Sequence, residues 1–454
     1  MKQMELRNIQ RVYLIGIGGI GMSGLARYFN HIGCIVCGYD KTPTDLTDEL
    51  RNEGIQIVFE DNNERIPKSF RDVADNTLII YTPAIPDDSD ILNFFRKKGF
   101  VLWKRSQVLG LISKGKFTIA VAGTHGKTTT SCMVAHILKD SGHDCSAFLG
   151  GIASNYQTNV LFGKNDIVVV EADEYDRSFL TLYPNIAIIT SMDADHLDIY
   201  GDHEQLTQSF QEFASQVKKG GVLIHRKGLP LTNGFTYSID GDADATAENI
   251  RIDNSDFYFD FKRGPITIPN IKLGIAGLHN VENAVAAIEV ALRLHLDWEA
   301  IKSALGSFKG VKRRFEYIIK NDSQIYIDDY AHHPEELRAA ISSIKKIYPG
   351  KKLTTIFQPH LYTRTRDFAD GFAEALDMCD EVIMLDIYPA RELPVAGVSA
   401  DMILDRMKMW NKRKCGKQDA IDRVKLEKPE LLLTVGAGDI DQMVQLLKNA
   451  LEDV

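Results

Sequence analysis

The sequence predicts an α/β protein of three domains: an N-terminal Rossmann-like parallel sheet in residues 1–107, a central P-loop ATPase-type α/β domain in 108–311 and a C-terminal Rossmann-like α/β domain in 312–454. Three observations predict it. A chain of 454 residues is too long for one hydrophobic core. Two glycine-rich loops, near residues 16–21 and 123–126, each join a short apolar run to a helical pattern. From Lys312 onward, apolar strands alternate with helical stretches.

Composition narrows the partners. The apolar and charged fractions are those of a soluble globular protein, and a net charge of -9 argues against a nucleic-acid or membrane-surface binder. An anionic ligand would need local Lys, Arg or Mg²⁺. The six cysteines follow no metal-ligand rhythm and suit a reducing cytoplasm. Cys34 and Cys37 form a C-x-x-C on a strand, where positions three apart face opposite sides, so they read as buried structural thiols. No signal peptide or transmembrane span is expected, and the chain is placed in the cytoplasm.

In the first domain, strand Arg11–Ile15 leads into Gly16-Ile17-Gly18-Gly19-Ile20-Gly21 and a helix from about Met22 to His31. A second strand, Ile35–Tyr39, ends at Asp40, where an acidic residue would meet a ribose. Alone, this fingerprint also fits a nicotinamide-dependent dehydrogenase. The loop physics requires only a pyrophosphate on a helix N-terminus, and a UDP-sugar carries one too. Further strands are expected at Ile55–Phe59, Leu78–Tyr81 and Val101–Lys104, with Arg105 opening the next helix.

The second domain begins with strand Ile119–Ala122, followed by Gly123-Thr124-His125-Gly126, then Lys127, Thr128, Thr129 and Thr130, and a helix Cys132–Lys139. Glycines let backbone amides curl around an anion, the helix adds its positive dipole end, Lys127 reaches a β/γ-phosphate and a threonine hydroxyl holds Mg²⁺. Val121 stands where the usual phosphate loop has its first glycine, so this is a shortened variant. Strand Ile167–Val170 delivers Glu171, the first choice for a Mg²⁺ ligand. Asp173, Glu174 and Asp176 read either as ligand contacts or as surface acids. Strand Ile186–Thr190 leads to Asp193, Asp195, His196 and Asp198, a candidate second metal site.

In the last domain, strands are expected at Ile325–Asp328, Leu353–Phe357, Glu381–Leu385 and Leu431–Val435, with helices at Pro334–Ile347 and near Phe368–Leu376. Gln358–Arg366 places Arg364 and Arg366 at a strand end, either to dock a carboxylate or phosphate or as a basic surface turn.

AGTHGKTTT (Ala122–Thr130), EADEYD (Glu171–Asp176) and DADHLD (Asp193–Asp198) together resemble the ATP-dependent Mur ligase family, which builds the peptide of the bacterial cell wall. LHNVENA (Leu278–Ala284), GVKRRF (Gly310–Phe315) and DDYAHHP (Asp328–Pro334) extend the likeness from about Val12 to Gly438. The resemblance implies ATP and Mg²⁺ as cofactors. It assigns nucleotide contacts to Gly123, Thr124, His125, Gly126, Lys127, Thr128, Thr129, Asn280, Asn283, Arg314 (γ-phosphate) and Asp329 (ribose). Thr128 and Glu171 would hold one Mg²⁺, and Glu171 with His196 a second. Gly18, Gly19, Ile20, Gly21, Asp40 and Arg105 would take a sugar nucleotide, and His332, His360 and Arg364 an amino acid. Lys127, Glu171, His196, Arg314 and His332 form the implied catalytic set.

FQPHLYTRTRD (Phe357–Asp367) is similar to the members that join L-alanine to UDP-N-acetylmuramate, although Leu361 replaces an arginine common there. Those two compounds are the expected partners, with the chain a monomer or homodimer. The stretch from Leu197 to Val217 contains no lysine, so the carbamylated lysine that several relatives use to hold a metal is not expected. A tripeptide-adding member of the family is the nearest alternative, and a dehydrogenase or a non-catalytic nucleotide-binding scaffold would be a different class.

Overall fold

The computed structural model describes residues 6–193, 200, 202–239, 241–390 and 392–452. They form a three-domain α/β fold built on parallel sheets. Contacts divide it into two compact units: one runs to Thr246 and adds Lys262–Thr267 and Asn283–Ala304, and the other holds Ala247–Phe261, Ile268–Glu282 and the chain from Leu305.

The first unit contains two sheets. Strands β1 (Arg11–Ile15), β2 (Ile35–Tyr39), β3 (Gln56–Val58), β4 (Thr77–Tyr81) and β5 (Leu102–Lys104) lie in the order β3-β2-β1-β4-β5, all parallel. Helices α1 (Ile20–His31), α2 (Asp45–Asn52), α3 (Asp90–Lys98) and α4 (Arg105–Ser113) accompany them. Val12 and Leu14 face α1 through Met22, Leu25 and Phe29, whereas Tyr13 and Ile15 pack with Phe70, Ile91 and Phe95. Burial on both faces is why β1 reads as an uninterrupted apolar run. Cys34 and Cys37 are free thiols in these two opposite cores.

The second sheet contains β6 (Phe117–Ala122), β7 (Ser146–Ala153), β8 (Thr158–Leu161), β9 (Ile167–Glu171), β10 (Ile186–Ile189), β11 (Val222–Arg226) and β12 (Phe235–Ser238). Their order is β12-β11-β10-β6-β9-β7-β8, parallel except for the β7–β8 hairpin. Central β6 pairs with β9 at Val121↔Glu171 and with β10 at Ala122↔Ile189. The glycine loop, Glu171 and Thr190 therefore emerge together at one carboxyl edge, where open sheets bind ligands. Helix α5 (Lys127–Asp140) starts five residues before the predicted Cys132. A left-handed Gly126, φ 81°, turns the chain directly into it, and the β-branched threonines that weaken helix propensity are buried here.

The two sheets of this unit meet through α1 and the β7–β8 hairpin. His31 stacks on Phe162 with ring centroids 4.0 Å apart. Asn159, 1% exposed, donates to Ile20 O at 2.5 Å and Ser23 Oγ at 2.9 Å, and accepts from Arg27 Nη1 at 2.7 Å. Arg27 also pairs with Glu49 and Glu53.

In the second unit, β14 (Asp256–Arg263) lies between β13 (Ala245–Asp253) and β15 (Ile266–Leu273). The last sheet comprises β16 (Glu316–Lys320), β17 (Ile325–Asp329), β18 (Leu353–Phe357), β19 (Glu381–Met384), β20 (Lys412–Lys414) and β21 (Leu431–Val435), in the order β16-β17-β21-β18-β19-β20. Only β16 runs antiparallel. The helix expected near Phe368–Leu376 is present as Ala369–Leu376, and a shorter helix, Tyr362–Asp367, precedes it with Phe368 at φ -120° between the two. Among the described residues, no helix is long and apolar enough to cross a membrane.

Candidate functional site

The phosphate loop is pinned from the neighbouring strand. Gly123 has φ 140°, and a Cβ there would lie 2.1 Å from Thr190 Oγ1 and 2.8 Å from Ser191 N. The Thr190 hydroxyl donates to Ala122 O and His125 O, while Ser191 Oγ accepts the His125 amide at 2.7 Å and lies 2.9 Å from Thr124 Oγ1. Thr190 and Ser191 thus hold Thr124 and His125 in place. Their only sequence signal is their position just past a strand end. Thr128 and Thr129 are buried in the first turn of α5, and a Cβ on Gly126 would lie 3.0 Å from Asn283 Oδ1.

The Lys127 ammonium folds back over this loop. It donates to Gly123 O at 2.6 Å and Thr124 O at 3.3 Å and pairs with Glu174 at 2.8 Å. Burial alone would lower its pKa, but the carboxylates of Glu174, Glu171 and Asp173 outweigh that and raise it, so the lysine stays charged. The three carboxylates whose roles the sequence left open each take a different cation: Asp173 with Arg105 at 3.0 Å, Glu174 with Lys127, and Asp176 with Lys104 at 2.8 Å. Asp176 and Arg177 both adopt left-handed backbone, φ 52° and 54°.

Glu171 leaves β9 toward Gly150, whose N–H donates to Oε2 at 3.0 Å. With Arg105, Ser106, Asp173 and Ser178 it lines a small cavity. The Thr128 hydroxyl and the Glu171 carboxylate are hard oxygen donors that fit Mg²⁺. Among the described residues, no group of three His, Cys, Asp or Glu could hold a metal. A partial protein shell suits Mg²⁺, which keeps waters and takes phosphate oxygens. His196, Asp195 and Asp198 lie outside the described residues.

The first-domain loop is joined to this acidic segment. Gly18 N–H donates to Asp40 Oδ2 at 2.7 Å, so Asp40 braces the loop. A Cβ on Gly21 would lie 2.6 Å from Arg105 Nη1. Arg105 therefore lies against Gly21 while it pairs with Asp173, and Gly18 of the same loop is held by Asp40.

In the other unit, Asn280 is buried and donates to Ala276 O at 2.6 Å. Arg313 donates to Asp328 at 3.0 Å and Gly436 O at 2.7 Å, which makes it structural, while Arg314 lies 3.7 Å from Glu336. Both guanidinium groups approach the Tyr330 ring, at 5.2 and 5.1 Å. Asp329 accepts the amides of Phe315 and Ala331, both at 2.7 Å. Burial pushes its pKa up to about 6 against the pull of Arg314 and those amides.

His332 Nδ1 donates to Tyr330 O at 3.0 Å, and its amide donates to Glu336 at 3.0 Å. Burial lowers the imidazole to about 4, so it is neutral at pH 7 although Glu336 favours its charged form. The His332 and His360 rings are 6.0 Å apart, and His360 stacks with Tyr388 at 5.9 Å. Arg364 is buried on the short helix that follows Leu361, whose φ of 68° is left-handed. Glu336 was missed by sequence reasoning, because it looks like any acid in a helix's first turn.

Three family models match the chain in succession. The Mur ligase family catalytic domain matches residues 11–117, the Mur ligase middle domain 121–291, and the Mur ligase glutamate ligase domain 313–438. The UDP-N-acetylmuramate--L-alanine ligase of Flavobacterium psychrophilum is 49% identical over 450 residues, covering 99% of this chain and 100% of the relative. That of Cytophaga hutchinsonii is 46% identical over 455 residues, covering 98% and 97%. The crystal structure of UDP-N-acetylmuramate-alanine ligase from Thermotoga maritima superposes with a TM-score of 0.82 at 29% identity, covering 96% of this chain and 98% of that one. These matches extend over nearly the whole sequence, and the chain belongs to the Mur ligase family.

Proposed function

We propose that the protein is an ATP-dependent ligase that joins L-alanine to the lactyl carboxylate of UDP-N-acetylmuramate, giving UDP-N-acetylmuramoyl-L-alanine, ADP and phosphate for peptidoglycan synthesis. The observation that carries this reading is the 49% identity, over essentially full length, to an enzyme of that name. The chain divides functionally into sugar-nucleotide (1–107), ATP (108–311) and amino-acid (312–454) domains.

A carboxylate must become a better electrophile before an amine can displace oxygen from it. An oxygen of the lactyl carboxylate attacks the γ-phosphorus and ADP leaves, forming an acyl phosphate. The alanine amine then adds to the acyl carbon, and the tetrahedral intermediate expels phosphate. Negative charge accumulates at both stages, and fixed cations and dipoles aimed at it lower the barrier. Lys127 and Arg314 screen the β/γ-phosphates, the amides of Gly123 to Thr129 cradle them, and Asn280, Asn283 and Asp329 hold the nucleoside. Mg²⁺ bound by Thr128 and Glu171, with a second ion shared by Glu171 and His196, would neutralise phosphate and carboxylate oxygens. Gly18–Gly21, Asp40 and Arg105 bind the UDP moiety. His332, neutral at pH 7, works with His360 and Arg364 to receive alanine, the guanidinium gripping its carboxylate.

Phosphate release is the test. It should require UDP-N-acetylmuramate, ATP and L-alanine together. Turnover with a tripeptide in place of L-alanine would move the protein to the tripeptide-adding branch. Lys127→Met should abolish turnover with the circular dichroism spectrum unchanged.

A further inference from the structure

We propose that Glu174 is a positioning residue that holds the Lys127 ammonium over the phosphate loop, and that it sets the affinity for ATP by competing for that lysine. The inference rests on the reading of Gly123–Lys127 as the ATP phosphate site. Lys127 Nζ lies within hydrogen-bond reach of Gly123 O, Thr124 O and the Glu174 carboxylate. An ammonium has three protons to donate, and these acceptors engage all of them. To reach a phosphate, the lysine must leave at least one acceptor.

Glu174 is the strongest of the three because it is charged and only 1% exposed, so water screens the pair little. Its backbone is fixed, with the Tyr200 hydroxyl donating to Glu174 O at 2.5 Å. The left-handed Asp176 and Arg177 follow directly. Asp173 and Asp176 are engaged by Arg105 and Lys104, which leaves Glu174 as the member of the segment that meets the phosphate-loop lysine. An entering triphosphate competes with Glu174 for Lys127. Glu174 therefore opposes nucleotide binding, and its neutral isostere should strengthen it.

The experiment is calorimetric titration of the full chain with adenylyl imidodiphosphate and Mg²⁺. E174Q should bind about fivefold or more tightly than wild type, whereas a merely structural role would leave affinity unchanged or weaken it. E174D, with its carboxylate one methylene further back, should fall between the two, and it tests the claim should E174Q lose its fold. The gain should vanish in K127M/E174Q relative to K127M. Persistence of the gain without the lysine would overturn the proposal, as would equal or weaker binding by both E174Q and E174D. Failure of K127M itself to weaken binding would overturn the phosphate-site reading, a separate result.

Discussion

Gly150 has no room for a side chain because the Glu171 carboxylate occupies the place of its Cβ, 2.1 to 2.3 Å away. Its amide also orients that carboxylate. Gly150→Ala should displace the proposed Mg²⁺ ligand without touching substrate, lowering kcat by about 10–100-fold and raising the Mg²⁺ concentration for half activity, as loss of an outer-shell partner does. Unchanged Mg²⁺ dependence would remove Glu171 from the metal site. At this scale, residue chemistry was more legible than its partners. Lys127, Glu171 and Arg105 stand out by type and place in motifs. That Lys127 would meet Glu174, and Arg105 Asp173, depends on backbone paths that local sequence does not encode.

Between elements, Asn159 bridges β8 to α1. Asn159→Ala leaves the buried Arg27 and Ile20 O each short of a partner. It should cost about 1–3 kcal/mol, read as a lower urea midpoint; an unchanged midpoint would show that the bridge contributes nothing. The second unit has its own pH signature. His279 and His332 are held near 4, below their ordinary 6.5, so the stability they contribute is present above pH 6.5 and is lost as pH falls toward 4. Asp329, raised to about 6, acts oppositely: its contribution is present below 3.8 and lost as pH rises through 6. Burial also raises Asp328 and Glu316, so the histidine contribution is read by difference: between pH 6.5 and 4 the thermal midpoint of wild type should drop relative to that of His332→Gln. An equal fall in both proteins would contradict the burial argument. Strands buried on both faces, such as β1 and β6, were legible as apolar runs. The β7–β8 hairpin and β11 to β15 were not, because their faces are partly exposed and their sequences mix polar with apolar residues.

For the whole molecule, two glycine loops and the alternating pattern after Lys312 were enough for three α/β domains. Spatial order was beyond them: β6 lies between β9 and β10, so residues about fifty apart in sequence share one sheet edge. That edge carries Lys127, Glu171 and Thr190 and makes phosphoryl transfer to a carboxylate the reading that explains them together. Ligation with UDP-N-acetylmuramate whose lactyl carboxylate is labelled with ¹⁸O tests it most directly. The account predicts that label appears in the released phosphate, because a carboxylate oxygen attacks the γ-phosphorus. Product formed with unlabelled phosphate would contradict it.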